Sequence, residues 1–145
     1  MSPGVAKLTA GRPIHVQPFD NRSLESDAGL IAMQSATRTL SARGVSLASG
    51  STPLVLVGAI DQVTATPLII TGPQQVAQWQ LDARLTLQLR EEGNPKPVAQ
   101  VTVSESTSYL AATNGDVEGT EVSRRLAVQH LLEQMASDAV DRLAP

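Results

Sequence analysis

The sequence predicts an α+β sandwich of two layers, in which two helices cover one face of a mainly antiparallel four-stranded sheet in the order β-α-β-β-β-α. Three observations carry this. Trp79, Leu81, Ala83, Leu85, Leu87 and Leu89 alternate with Gln80, Asp82, Arg84, Thr86, Gln88 and Arg90, the period of a strand with one buried face. Behind "EEGNPKP", Ala99, Val101 and Val103 alternate with Gln100, Thr102 and Ser104, which makes a hairpin with a loop longer than two residues. Near the end, Val128, Leu131, Leu132, Met135, Ala139, Val140 and Leu143 recur at intervals of three and four, the stripe of an amphipathic helix.

Taken in order, residues 1–12 hold Pro3, Gly4 and Gly11 and predict a flexible, extended lead-in, with a single domain over 13–145. "PIHVQPF" predicts a short strand at or near an edge: Ile14 and Val16 alternate with His15 and Gln17, and Pro18 cannot donate to a ladder. Ser23 to Arg43 is the first helix. Ser23 and Ser26 are its candidate N-caps, Gly29, Met33, Ala36 and Leu40 form a narrow stripe, and Gly44 stands where a left-handed C-terminal residue belongs.

"PLVLVGAIDQVTATPLII" opens with a continuous apolar run, which suits a central strand covered on both faces near its start. Pro67 either closes that strand or turns its far half into an edge. The strand that returns from the hairpin carries a hydroxyl face of Thr102, Ser104, Ser106 and Ser108. "AATNGDVEG" is a loop, Thr120 can cap the final helix, and Glu121 and Arg142 sit where the helix dipole favours each charge.

Composition narrows the function. The chain of 145 residues has room for one core, and only 2% of it is aromatic, so the interior is built from Leu, Val, Ile and Ala. The net charge of −3 and the scattered Lys and Arg leave neither a basic stripe nor stacking platforms for nucleic acid. Absence of cysteine excludes disulfides, thiolate metal sites and a cysteine nucleophile. His15 and His130 have no carboxylate or nucleophile placed beside them by sequence, and no hydrolase, zinc or phosphate-loop motif occurs. The expectation is a non-enzymatic domain without metal or cofactor. Arg84 and Arg90 share the polar strand face and Lys96 lies in the hairpin loop, so the three are candidates to present charge to an anionic ligand. The same positions also read as solvated charges, with Glu91 and Glu92 beside them.

The segment "IHVQPFDNRS" resembles the first strand and turn of the LptE family, the lipopolysaccharide-assembly lipoproteins of the outer membrane, through Ile14, Val16, Pro18, Phe19, Asn21 and Arg22. "LVLVGAIDQV", "WQLDARLTLQLREEGNPKPVAQ" and "RRLAVQHLLEQMASDAVDRL" are similar, in order, to the family's second strand, long hairpin and terminal helix. Read physically, Pro18 and Phe19 end a strand with a rigid apolar anchor, and Asn21 or Ser23 bonds the backbone through the turn.

The resemblance implies a plug docked in an outer-membrane β-barrel of the LptD type, assisting lipopolysaccharide delivery; lipopolysaccharide then becomes the expected anionic ligand for the candidates Arg84, Arg90 and Lys96. It also implies an outer-membrane location, facing the periplasm. The family's lipidated cysteine is not matched by "MSPGV", so a membrane anchor is an implication of the resemblance, and a truncated soluble form is the simplest expectation. The rival reading is a periplasmic adaptor that regulates a cell-wall synthase or another envelope machine.

Overall fold

A computed structural model describes residues 4–48, 53–72, 75–111 and 117–143. The elements run α1 (Gly4–Thr9), β1 (Ile14–Val16), β2 (Asp20–Asn21), α2 (Ala28–Ala42), β3 (Leu54–Gly72), β4 (Gln75–Glu91), β5 (Ala99–Leu110) and α3 (Val117–Arg142). The sheet order is β1-β3-β4-β5, with β2 also paired to β3. β1 and β2 lie parallel to β3, while β3, β4 and β5 form an antiparallel meander. Two helices on one face of a mostly antiparallel sheet is the predicted class; the two-residue β2 adds a fifth strand to the four expected.

The segment that resembles the family opening holds one strand interrupted, not one strand ended. Asp20 lies four positions after Val16 where their partners Ala59 and Leu56 are three apart, so the chain carries one extra residue around Pro18. Backbone pairing resumes at once, with Gln17 N–H on Leu56 O at 3.1 Å and Arg22 N–H on Ile60 O at 2.9 Å. A bulge of one residue switches which parity faces the core. Ile14 and Val16 point inward before it, and Phe19 after it. Phe19 comes to rest on Gly58 of β3, where a Cβ would lie 2.7 Å from three atoms of the ring.

β3 repeats the device. Ile60 pairs with Leu85 but Gln62 with Arg84, so Asp61 is the unmatched residue. Leu54, Leu56, Gly58 and Ile60 are buried on the near side of it; on the far side the inward row becomes Val63, Ala65 and Pro67. The start of β3 is not covered on both faces, as its apolar run predicts: Leu54 and Leu56 are buried, but Val55, Val57 and Ala59 are only half-buried on the helix-free side. Pro67 does not close the strand. It lies on the far half of β3, where no partner beyond β4 is paired among the described residues, so that half is an edge.

The helices depart from expectation at their starts: α3 begins at Val117, so Thr120 lies inside it and does not cap it, and Glu121 falls in its second turn. α2 begins at Ala28, five residues after Ser23, and Asp27 at its N-cap makes no side-chain cap bond. Ser23 and its neighbours are held by a different arrangement. Asn21 Oδ1 accepts from Ser23 N–H at 3.0 Å and from the Ser23 hydroxyl at 2.6 Å, and the Asn21 amide donates to Glu25 O at 2.5 Å. This local network competes with helix geometry and delays it. The far end is as expected, with Gly44 at φ +82°. The lead-in is not extended throughout, because residues 4–9 form α1, whose Thr9 is buried and whose Leu8 packs on the core.

α2 buries Ala28, Gly29, Ala32, Ser35, Ala36, Thr39 and Leu40. Such small side chains let it approach α3 closely, and the Ser35 hydroxyl donates to Glu133 O at 2.8 Å. α3 in turn lies over β4 and β5. The pair is clamped at both ends: Arg43 grips Asp141 through two parallel bonds of 2.8 and 2.9 Å, and Arg124 pairs with Glu25.

Candidate functional site

The period of two in β4 and β5 builds the surface most suited to recognition. Inward rows such as Ile60–Leu85–Val103 are fully buried, so their neighbours form a helix-free face. Across that face run the rows Val57–Gln88–Gln100, Ala59–Thr86–Thr102, Gln62–Arg84–Ser104, Thr64–Asp82–Ser106 and Thr66–Gln80–Ser108. Its polar groups are bonded to each other. Thr86 donates to Asp61 at 2.6 Å and lies 3.2 Å from Thr102, Ser106 donates to Asp82 at 2.6 Å, and Gln88 donates to Gln100 at 3.0 Å. The Ser106 hydroxyl and the Gln80 amide together hold the Asp82 carboxyl below the usual carboxylate range. The result is a stiff hydrophilic plane, not a cleft.

Arg84 and Arg90 both lie on this plane, separated by roughly 20 Å of strand. Arg84 borders a shallow depression of about 140 Å³ with Gln62, Asp82, Ser104 and Ser106. Arg90 donates to Gln88 at 2.9 Å, and Lys96 is exposed in the β4–β5 loop at that end of the sheet. The structure therefore brings Lys96 to the Arg90 end of the face and leaves Arg84 apart. Glu91, next to Arg90, is engaged by Arg12 at 3.6 Å.

The motif residues divide by role. Pro18 and Phe19 make the bulge and its anchor, and Asn21 makes the turn. Arg22 stays exposed, 3.2 Å from Asp20 and 3.5 Å from Asp61, so it ties β2 to the extra residue of β3. The histidines are far from forming a site. His15 Nδ1 lies 3.2 Å from Ala48 O on β1, and His130 is exposed on α3.

Sequence reasoning missed a titratable cluster under α3. Glu105 occupies an inward position of β5, in the row of Val63 and Ala83, and Oε2 of its carboxyl finds no hydrogen-bond partner among the described residues. Burial, followed by a hydrogen bond to Asp138 and repulsion from it, pushes the Glu105 pKa up, and Arg142 opposes this. The signal was legible: Glu105 has the parity of Val101, Val103 and Tyr109.

The sign of the pH effect follows. A carboxyl whose pKa is raised by folding contributes stability that is complete below its unfolded value and is lost as pH rises through the folded one. Glu105→Gln, which keeps a donor for Asp138 and removes the charge, is expected to unfold at a higher temperature than the natural chain at pH 8. At pH 4 the two should coincide. Thermal unfolding followed by circular dichroism reads the difference, and an equal or lower midpoint at pH 8 contradicts the assignment.

A groove of about 510 Å³ lies between the β2–α2 turn and α3, lined by Leu24, Ala28, Ile31 and Val128 with Glu25 and Arg124 at its wall. Glu25, Glu121, Arg124 and Arg125 along it are mutually paired.

Comparison with solved structures shows the same fold in several proteins. A PelC dodecamer from Paraburkholderia phytofirmans aligns with a TM-score of 0.57 at 17% identity, over 100% of this chain and 92% of that one. The rare lipoprotein B from Shewanella oneidensis aligns with a TM-score of 0.57 at 16% identity, over 89% of each chain. A minor lipoprotein from Acinetobacter baumannii aligns with a TM-score of 0.54 at 15% identity, over 93% of this chain and 95% of that one. At these identities the likeness extends to fold alone. No curated protein sequence matches the chain. The family profile described as "LptE: Lipopolysaccharide-assembly" matches residues 11–144, nearly the whole length. The chain therefore belongs to the LptE family of lipopolysaccharide-assembly proteins.

Proposed function

We propose that this domain acts without catalysis, docking as a plug inside an outer-membrane β-barrel of the LptD type while lipopolysaccharide is assembled at the cell surface. The observation that carries the reading is the helix-free face of the sheet. The interior of a membrane barrel is polar, so a plug needs a hydrophilic surface that does not pay again to order itself. The rows from Thr86–Thr102 to Gln80–Ser108 supply one, already bonded within itself. Attachment to the periplasmic side of the outer membrane would rest on a lipid anchor, which the family resemblance implies; no helix among the described residues is long and apolar enough to cross a membrane.

Ser104→Trp and Ser106→Trp place bulk on this face without touching the core. The expected result is loss of co-purification with the barrel at an unchanged thermal midpoint. Retention of the complex rejects docking through this face, and co-purification with a different envelope machine instead of a barrel favours the adaptor reading.

For lipopolysaccharide we propose contact between its anionic portion and Arg90 with Lys96, with Arg84 as a separate contact further along β4. Neutralising all three to Gln is expected to weaken lipopolysaccharide binding to the domain by roughly tenfold or more. Unchanged affinity rejects the site.

A further inference from the structure

β5 ends the sheet on one side, and among the described residues no strand pairs with its outer edge. That edge is regular. β5 keeps one register against β4 from Gln78↔Leu110 to Leu89↔Ala99, whereas the β3–β4 register shifts at Asp61 and again beyond Pro67. The direction of its free backbone groups follows from the ladder. Ala111 N–H donates to Ala77 O at 3.0 Å in the same register, and antiparallel bonds recur at every second residue, so the odd residues of β5 bond to β4. The even ones, from Gln100 to Ser108, turn N–H and C=O outward and carry exposed side chains on the helix-free face.

Edges of this length are commonly blunted by proline, a bulge, lysine or an inward charge. Between Ala99 and Leu110 there is no proline and no lysine, and the single charge is Glu105 on the helix side. Glu105 disfavours any strand that sets an apolar side chain or another carboxylate against it, so it selects what can pair here.

We infer that β5 pairs antiparallel with β5 of a second copy of this chain, about a two-fold axis between the two Ser106 residues. An outward N–H needs an outward C=O, so even residues oppose even ones and the axis falls at a residue. An axis at Val103 or Ser104 sets Glu105 against Val101 or Val103 of the second copy, and one at Glu105 sets it against itself. The axis at Ser106 sets it against Thr107 of the second copy, a hydroxyl donor for a carboxyl whose Oε2 has no partner among the described residues. In that register Val103 also meets Tyr109, a β-branched residue against an aromatic ring, and Ser104 meets Ser108. Moving the axis to Thr107 shortens the overlap from Thr102–Leu110 to Ser104–Leu110 and sets Glu105 against Tyr109, whose ring is already stacked on Trp79. With even opposite even, both copies keep their helices on one side, and the two hydrophilic planes join into one.

The inference does not rest on plug docking, and its test contains no barrel. The chain has no cysteine, so single cysteines report the register without background. Directly opposed residues lie about 5.5 Å apart between Cα atoms, within disulfide reach. Copper-phenanthroline oxidation of purified Ser106→Cys is expected to give a disulfide-linked dimer on a non-reducing gel, in roughly tenfold excess over Ser104→Cys or Ser108→Cys alone. A mixture of those two should cross-link where neither does by itself. Ser106→Pro removes an outward N–H and leaves the bonds to β4. It should keep the thermal midpoint and weaken dimerisation by roughly tenfold or more in sedimentation equilibrium.

Sedimentation of the natural chain as a monomer at about 0.1 mM overturns the inference. So does equal cross-linking at the three single-cysteine positions, or none at Ser106→Cys. A dimer that survives Ser106→Pro overturns it too; should that variant unfold, the cysteine pattern alone decides.

Discussion

Phe19→Ala is expected to lower the free energy of unfolding by about 3–5 kcal/mol, among the largest effects of any single truncation in this chain. Phe19 is the only phenylalanine, it is 8% exposed, and its ring fills the space that Gly58 leaves empty on the central strand. The surrounding backbone cannot collapse into the gap, because β1 and β2 are both paired to β3 on either side of it. The complementary change is informative. Gly58→Ala puts a methyl 2.7 Å from the ring and is expected to cost about 1–3 kcal/mol alone. In the Phe19→Ala background that clash is gone, and the added methyl should cost little. Urea denaturation of the two single variants and the double one gives the coupling; additive costs would mean that ring and glycine do not share the space described.

Leu85→Ala is expected to cost about 2–5 kcal/mol, while Ser104→Ala on the opposite face stays within about 0.5 kcal/mol of the natural chain. Leu85 sits in the middle of a row with Ile60 and Val103, all buried to within 1%. Ser104 is exposed one position along β5. The contrast tests the facing of the sheet, since a shift of register by one residue would exchange the two results. Chemical denaturation midpoints of the two variants suffice.

How much of this was visible beforehand differs between elements, for physical reasons. β4 was legible because its alternation runs unbroken from Trp79 to Arg90, and its buried face is the one those residues predict. α3 was legible through its stripe, and the end of α2 through Gly44. β3 was only half legible. Its change of parity at Asp61 depends on what β4 places opposite, and local sequence does not record that. The start of α2 was displaced because Ser23, a good cap by type, is bound by Asn21 instead.

In sequence the motif Pro18, Phe19, Asn21 and Arg22 reads as a strand end with an anchor. The anchor and the Asn21 turn hold, but the strand resumes after one extra residue. Of the candidate ligand residues, the common face of Arg84 and Arg90 was readable. Their separation, and the pairing of Glu91 with Arg12 at one end, belong to three dimensions. Glu105 was readable as inward-facing from the parity it shares with Val101, Val103 and Tyr109.

The unmatched residue at Asp61 has a consequence for how this chain tolerates changes of length. Every position from Gln62 to Pro67 takes its orientation from a count that starts there, before the register shifts again around Ile69 and Ile70. Removing one residue directly after Asp61 would turn the side chains that follow over, sending Thr64 toward the helix side and Val63 toward water. Removing two would only shorten the arm. The hairpin can thus be lengthened or trimmed in steps of two, and reach becomes a property that varies without disturbing which side is wet.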